Sequence, residues 1–137
     1  MGIRFVTKTV HAYLDYPVAI SLMVMPFILN LGQTNPWEIR VSVACGVAAF
    51  FLTLLTDHKT GLVRVIPYWG HVAVDRLIGL VFIVSSFVFG FSGLAAWYYW
   101  LNAAAVLIVT TVLNAPESHG DGSRVVSGPS PITAQRR

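Results

Sequence analysis

Four side chains in this sequence have types and spacing that suit shared chemistry. His11 and Asp15 are four residues apart, and so are His71 and Asp75. At 3.6 residues per turn, each pair lies on one face of a helix. Two imidazoles and two carboxylates at one depth suit a divalent metal, with neutral imidazole as a common ligand. Two symmetric histidines also suit a haem held from opposite sides. The plainer reading is structural. Each Asp then accepts a hydrogen bond from its own His, from the other pair's His, or from Arg4, Lys8 or Arg64. Such a network fixes register and satisfies buried polar groups. Asp57 and His58 return to the same side of the chain's path. The candidate cluster is therefore His11, Asp15, His71, Asp75, Asp57, His58 and Arg64, with no residue assigned to catalysis and no metal ligand assigned.

Other chemistries lack their residues. A carboxylate-bridged di-iron bundle uses Glu with Glu-x-x-His spacing. Here the Glu residues are Glu38 and Glu117, both outside the apolar stretches, and no His-Glu-x-x-His motif occurs. The single cysteine, Cys45, supplies neither a disulfide within the chain nor the paired thiolates of a zinc site. Ser85-Ser86 has no His or Lys spaced to activate it, and Asn102 is expected to bond a neighbouring helix. A proton or ion path needs polar groups on both sides, and past Arg40 at the outer edge the far halves of the apolar stretches have no charged residue.

The elements that carry these residues are membrane spans. Of 137 residues, 55% are hydrophobic and 11% charged, against about a quarter charged in a soluble domain. Mean hydropathy is +0.69. This excludes a soluble enzyme, a disordered regulator and a disulfide-stapled secreted domain. Four stretches, near residues 12–31, 39–56, 72–91 and 95–113, approach the roughly 20 apolar residues that cross a bilayer. Helix is their expected state, because an open sheet leaves backbone groups unpaired in lipid and four spans are too few for a barrel. The first run is too long for a signal peptide and lacks a cleavage site, so it is expected to stay as a span.

Basic residues give the orientation. Arg4, Lys8, Lys59, Arg64, Arg76 and the tail arginines fall on one side, and Arg40 alone falls on the other. Both termini are thus expected in the cytoplasm. Tyr13, Tyr16, Tyr68 and Trp69 are expected at the inner boundary. Trp37, Trp97, Tyr98, Tyr99 and Trp100 are expected at the outer one. The basic residues sit beside spans, which suits anionic lipid headgroups rather than nucleic acid.

A shift of 60 residues superimposes the two halves without a gap from Arg4 to Glu117. Arg4 falls on Arg64, His11 on His71, Asp15 on Asp75 and Trp37 on Trp97. Apolar matches alone would be weak, but matched Arg, His, Asp and Trp at one offset are hard to obtain by chance. Each repeat crosses twice, so both copies have the same orientation, unlike the inverted repeats of many transporters. The expected domain is residues 1–114, with repeats near 4–58 and 64–114, followed by a polar, flexible tail over 115–137. Ala19, Pro26 and Asn30 on the first span, and Gly79, Ser86 and Gly90 on the third, extend the His/Asp faces. Those two spans are expected to face each other across the pseudo-axis, with the acids inward.

The second repeat contains Ser85-Ser86-Phe87-Val88-Phe89-Gly90-Phe91-Ser92, and the first contains Met25-Pro26-Phe27-Ile28-Leu29-Asn30-Leu31-Gly32. Together with His-x-x-x-Asp at His11 and His71 and the Arg64-x-x-Pro67 link, these resemble the SPW-repeat integral membrane proteins of bacteria. Phe stands where that family's motif has Trp. The resemblance implies a four-span protein of the bacterial inner membrane and brings no established activity. The expected fold is all-α, a polytopic membrane protein of four transmembrane helices in two parallel-oriented hairpin repeats. The expected role is non-enzymatic: a scaffold or accessory subunit that associates with itself or with another membrane protein. No cofactor is expected in that role. The alternative is a metal- or haem-binding electron-transfer protein built on the paired His-x-x-x-Asp motifs.

Overall fold

The computed structural model describes residues 6–114. Arg4 and the segment expected to be a flexible tail, 115–137, lie outside the described residues. Four helices account for almost all of the rest: α1 (Lys8–Ile28), α2 (Trp37–Leu55), α3 (Tyr68–Val88) and α4 (Gly93–Leu107). A π-helical end, Ile108–Leu113, prolongs α4. No strand occurs among the described residues; two isolated bridges, Val6 with Asn114 and Thr56 with Ile66, join the chain segments beside the His11 end of the bundle. All four helices are long and apolar enough to cross a membrane. The chain is a multi-pass membrane protein.

The 60-residue offset reappears in the backbone. α3 begins and ends 60 residues after α1. Both helices close in the same way. Leu31 N donates to Pro26 O and Phe91 N to Ser86 O, each at 2.9 Å. Asn30 and Gly90, the equivalent residues between, have positive φ of 53° and 64°. This is the left-handed residue that ends many helices, where Gly and Asn are best tolerated. The repeats differ in the turn that follows: α4 starts at Gly93, whereas α2 starts at Trp37, the counterpart of Trp97.

Packing is strongest inside each hairpin, α1 along α2 and α3 along α4, while α2 also touches α3. The small residues serve these contacts. A Cβ on Gly46 would lie 2.9 Å from Ala19 O and 2.8 Å from Met23 Cγ, and one on Gly79 would meet Leu107 of α4 at 2.9 Å. The small faces of α1 and α3 therefore press on their hairpin partners rather than on each other, contrary to the expectation from sequence. α1 and α3 meet at their His ends. Gly46→Leu is accordingly expected to lower stability by about 1–3 kcal/mol, the usual cost of overpacking. Thermal unfolding in detergent reads this, and an unchanged midpoint would refute the close approach.

Tyr98 and Tyr99 correct a second expectation. Neither ring faces the lipid as a boundary aromatic would: they are 8% and 0% exposed and fill the core with Phe82 and Phe91. Burial of a phenol requires a partner for its hydroxyl. Tyr99 donates to Glu38 O at 2.8 Å, and Tyr98 shares a 2.7 Å hydrogen bond with Ser42. Tyr68 is also buried, and its hydroxyl donates to Asn114 Oδ1 at 3.0 Å. Asn102 bonds Tyr98 O of its own helix, not a neighbouring helix. Trp69, Trp97, Phe27 and Phe87 remain exposed, which suits side chains in contact with lipid.

Candidate metal centre

The first turns of α1 and α3 bring four donor groups together at one end of the bundle. His11 Nε2 lies 2.9 Å from Asp75 Oδ2 and 3.2 Å from Asp15 Oδ1. His71 Nε2 lies 3.1 Å from Asp75 Oδ2 and 3.2 Å from Asp15 Oδ2. Each acid thus meets its own histidine and that of the other repeat. One ligand atom from each of these four residues lies within 4.8 Å of the other three. A tetrahedral ion with nitrogen and oxygen ligands near 2.0–2.1 Å spaces its donors about 3.3 Å apart. The four measured N···O contacts are near that spacing, with His11 and His71 facing different oxygens of Asp15.

The surrounding hydroxyls decide which nitrogen faces the cluster. Thr56 Oγ1 donates to Leu52 O at 2.6 Å and lies 2.8 Å from His71 Nδ1. A hydroxyl has one proton, so Thr56 accepts from His71 Nδ1–H. When the ring is neutral, as metal ligation requires, Nε2 carries the lone pair, and it points at Asp15 and Asp75. His58 repeats this arrangement. Thr60 Oγ1 donates to Ala12 O at 3.0 Å and lies 3.1 Å from His58 Nδ1. His58 Nε2 then also presents a lone pair, 3.8 Å from Asp15 Oδ2. Burial pushes the His58 pKa below its usual 6.5, against the opposing pull of Asp15. Imidazoles held through Nδ1–H, with Nε2 turned inward, are the usual form of metal-ligating histidine.

His11 Nε2 and Asp75 Oδ2 share a hydrogen bond of 2.9 Å, but three other inward atoms have no partner. His71 Nε2, His58 Nε2 and Asp15 Oδ2 are all buried and unpaired, because the close contacts among them lack hydrogen-bond alignment. The side chains of His58 and His71 are 0% and 1% exposed. Buried polar groups normally find partners, so a converging unpaired set calls for an explanation, an ion among them. Two carboxylates at this proximity also repel unless a positive charge stands between them, which either a protonated histidine or a metal ion supplies. Tyr68 seals the cluster from the helix ends, edge-on to His11 with ring centroids 5.9 Å apart and stacked on His71 at 6.5 Å.

Of the seven residues expected in this cluster, five are brought together: His11, Asp15, His58, His71 and Asp75. Asp57 and Arg64 are not. They form their own pair at 3.6 Å, with side chains 57% and 63% exposed. The loop after α2 turns Asp57 outward while His58 turns in. In this arrangement both Nε2 atoms, of His11 and His71, converge on one Asp75 oxygen, which leaves no room for a porphyrin plane between them. Thr56 and Thr60 are the residues that sequence reasoning missed; their only signal is a threonine two residues on each side of His58.

No protein-family model, curated protein or solved structure matches this chain.

Proposed function

We propose that this protein binds one divalent transition-metal ion, held by His11, Asp15, His71 and Asp75, with His58 as a third imidazole at its edge. The observation that carries this reading is the set of buried, unpaired donor atoms on His71, His58 and Asp15. Two nitrogen and two oxygen donors within 4.8 Å of one another suit Zn²⁺, and the same donor types suit Fe²⁺ and Mn²⁺. Two carboxylates and neutral imidazoles make a site that a dication leaves uncharged. The ion would tie α1 to α3, and so clamp one hairpin to the other where side-chain packing between them is thin.

The clamp fits a non-enzymatic accessory subunit of the bacterial inner membrane, associated with itself or with another membrane protein. Lys8, Lys59, Arg64 and Arg76 lie towards the metal end, and Arg40 is near the opposite end. By the positive-inside rule, the metal end faces the cytoplasm.

Purification in mild detergent followed by elemental analysis tests the reading. One equivalent of zinc, iron or manganese per chain is expected, and His11→Ala and His71→Ala are each expected to lose it. Wild-type protein that is metal-free as isolated and takes up neither Zn²⁺ nor Co²⁺ would sink the proposal.

A further inference from the structure

A half-enclosed cavity of about 160 Å³ adjoins the donor cluster on one side. His11, Asp15 and Asp75 line its polar end, whereas His71 and His58 do not reach it. Leu14, Val18 and Val109 line its apolar length. The lining comes mainly from α1 and α4, two helices without extensive mutual packing, and α2 and α3 supply fewer groups. Leu14 and Val18 are 46% and 39% exposed, so this wall continues onto the surface that meets lipid. The cavity therefore links the acyl region of a bilayer to the inward face of the donors.

We infer that this cavity takes a single-chain amphiphile dissolved in the membrane, whose oxygen head ligates the metal ion while its alkyl chain lies along Leu14, Val18 and Val109. The inference rests on the metal reading above. Four-coordinate zinc sites can expand to a fifth ligand, and an oxygen donor arriving from the His11, Asp15 and Asp75 side would fill that position. Apolar walls exclude a free hydrated anion and favour a chain. The size is that of a head and a short chain segment, since a cavity of about 150 Å³ accommodates benzene. A whole two-chain phospholipid does not fit.

The test uses the full chain in phosphatidylcholine nanodiscs, loaded with Co²⁺, whose visible absorption reports its ligands. Cobalt binding is measured first; a wild-type chain that does not bind it overturns the metal reading and this inference together. With cobalt in place, decanoate is expected to change the absorption bands, while decane and equal aqueous acetate are not. Ala105→Trp and Val109→Phe, both at cavity-lining positions, are each expected to keep the cobalt bands and to raise the decanoate midpoint at least tenfold. Two variants are used so that one misfolded protein does not decide the matter. Cobalt-loaded protein that ignores decanoate, that responds equally to acetate, or whose cobalt-binding variants respond like wild type would overturn the inference and leave the metal reading standing.

Discussion

Asp75→Asn is expected to remove most of the stabilisation of this protein by zinc. A ligand that binds only the folded state raises stability by RT ln(1 + [L]/Kd), about 2.7 kcal/mol at a hundredfold excess over Kd. Asp75 is the acid on which the site turns, because a single oxygen, Oδ2, approaches both His11 at 2.9 Å and His71 at 3.1 Å. Asn keeps the shape and removes the charge. Loss of an outer partner alone costs about 10–100-fold in metal affinity, so loss of a ligand's charge should cost at least the upper figure. At the same zinc concentration, a hundredfold weaker site gains only about 0.4 kcal/mol. The measurement is thermal unfolding in detergent with zinc and with a chelator. Asp57→Asn is the control, since that side chain is 57% exposed and paired with Arg64. An equal zinc response in wild type and Asp75→Asn would remove the metal from the account.

The histidines and acids of the centre were legible because two independent periods point to them. One is the four-residue spacing that puts His11 with Asp15 and His71 with Asp75 on a helix face. The other is the 60-residue offset that puts both faces at one depth. Four apolar stretches gave the helices for the same reason that hydropathy works in membranes: backbone polar groups have no alternative partner in lipid. The rest depends on packing, which neither period encodes. Tyr98 and Tyr99 are adjacent to Trp97 and Trp100, and the four together read as a boundary belt. Their burial follows from acceptors on α2, Glu38 O and Ser42, that lie some 60 residues away in the chain. Gly79 lies on the same stripe as Asp75, yet it packs on Leu107 of its own hairpin, because hairpin partners approach more closely than the two repeats do. Asp57 and His58 are neighbours in sequence and separate in function, since a one-residue step in a non-helical segment reverses the side chain.

Thr56→Val is expected to weaken zinc binding without touching any ligand. The Thr56 hydroxyl is fully buried between Leu52 O and His71 Nδ1. Valine fills the same space and removes the acceptor that keeps the His71 proton on Nδ1. Left on Nδ1, that proton would be buried and unpaired at about 1–3 kcal/mol. The neutral ring avoids this by moving the proton to Nε2, where Asp15 and Asp75 lie 3.2 and 3.1 Å away. The metal-free protein thus tolerates the change, but its Nε2 no longer offers a lone pair. Zinc must reverse the tautomer to bind, and affinity is expected to fall about 10–100-fold. His71→Ala removes the ring on which Thr56 acts, so adding Thr56→Val to that variant should cost nothing further in zinc affinity. Thr60→Val is expected to act more weakly, because His58 Nε2 stands 3.8 Å from its nearest carboxylate oxygen, outside the tight quartet. Additive effects of Thr56→Val and His71→Ala would mean that Thr56 acts on the fold and not on the imidazole, and the assignment of His71 as a ligand through Nε2 would lose its support.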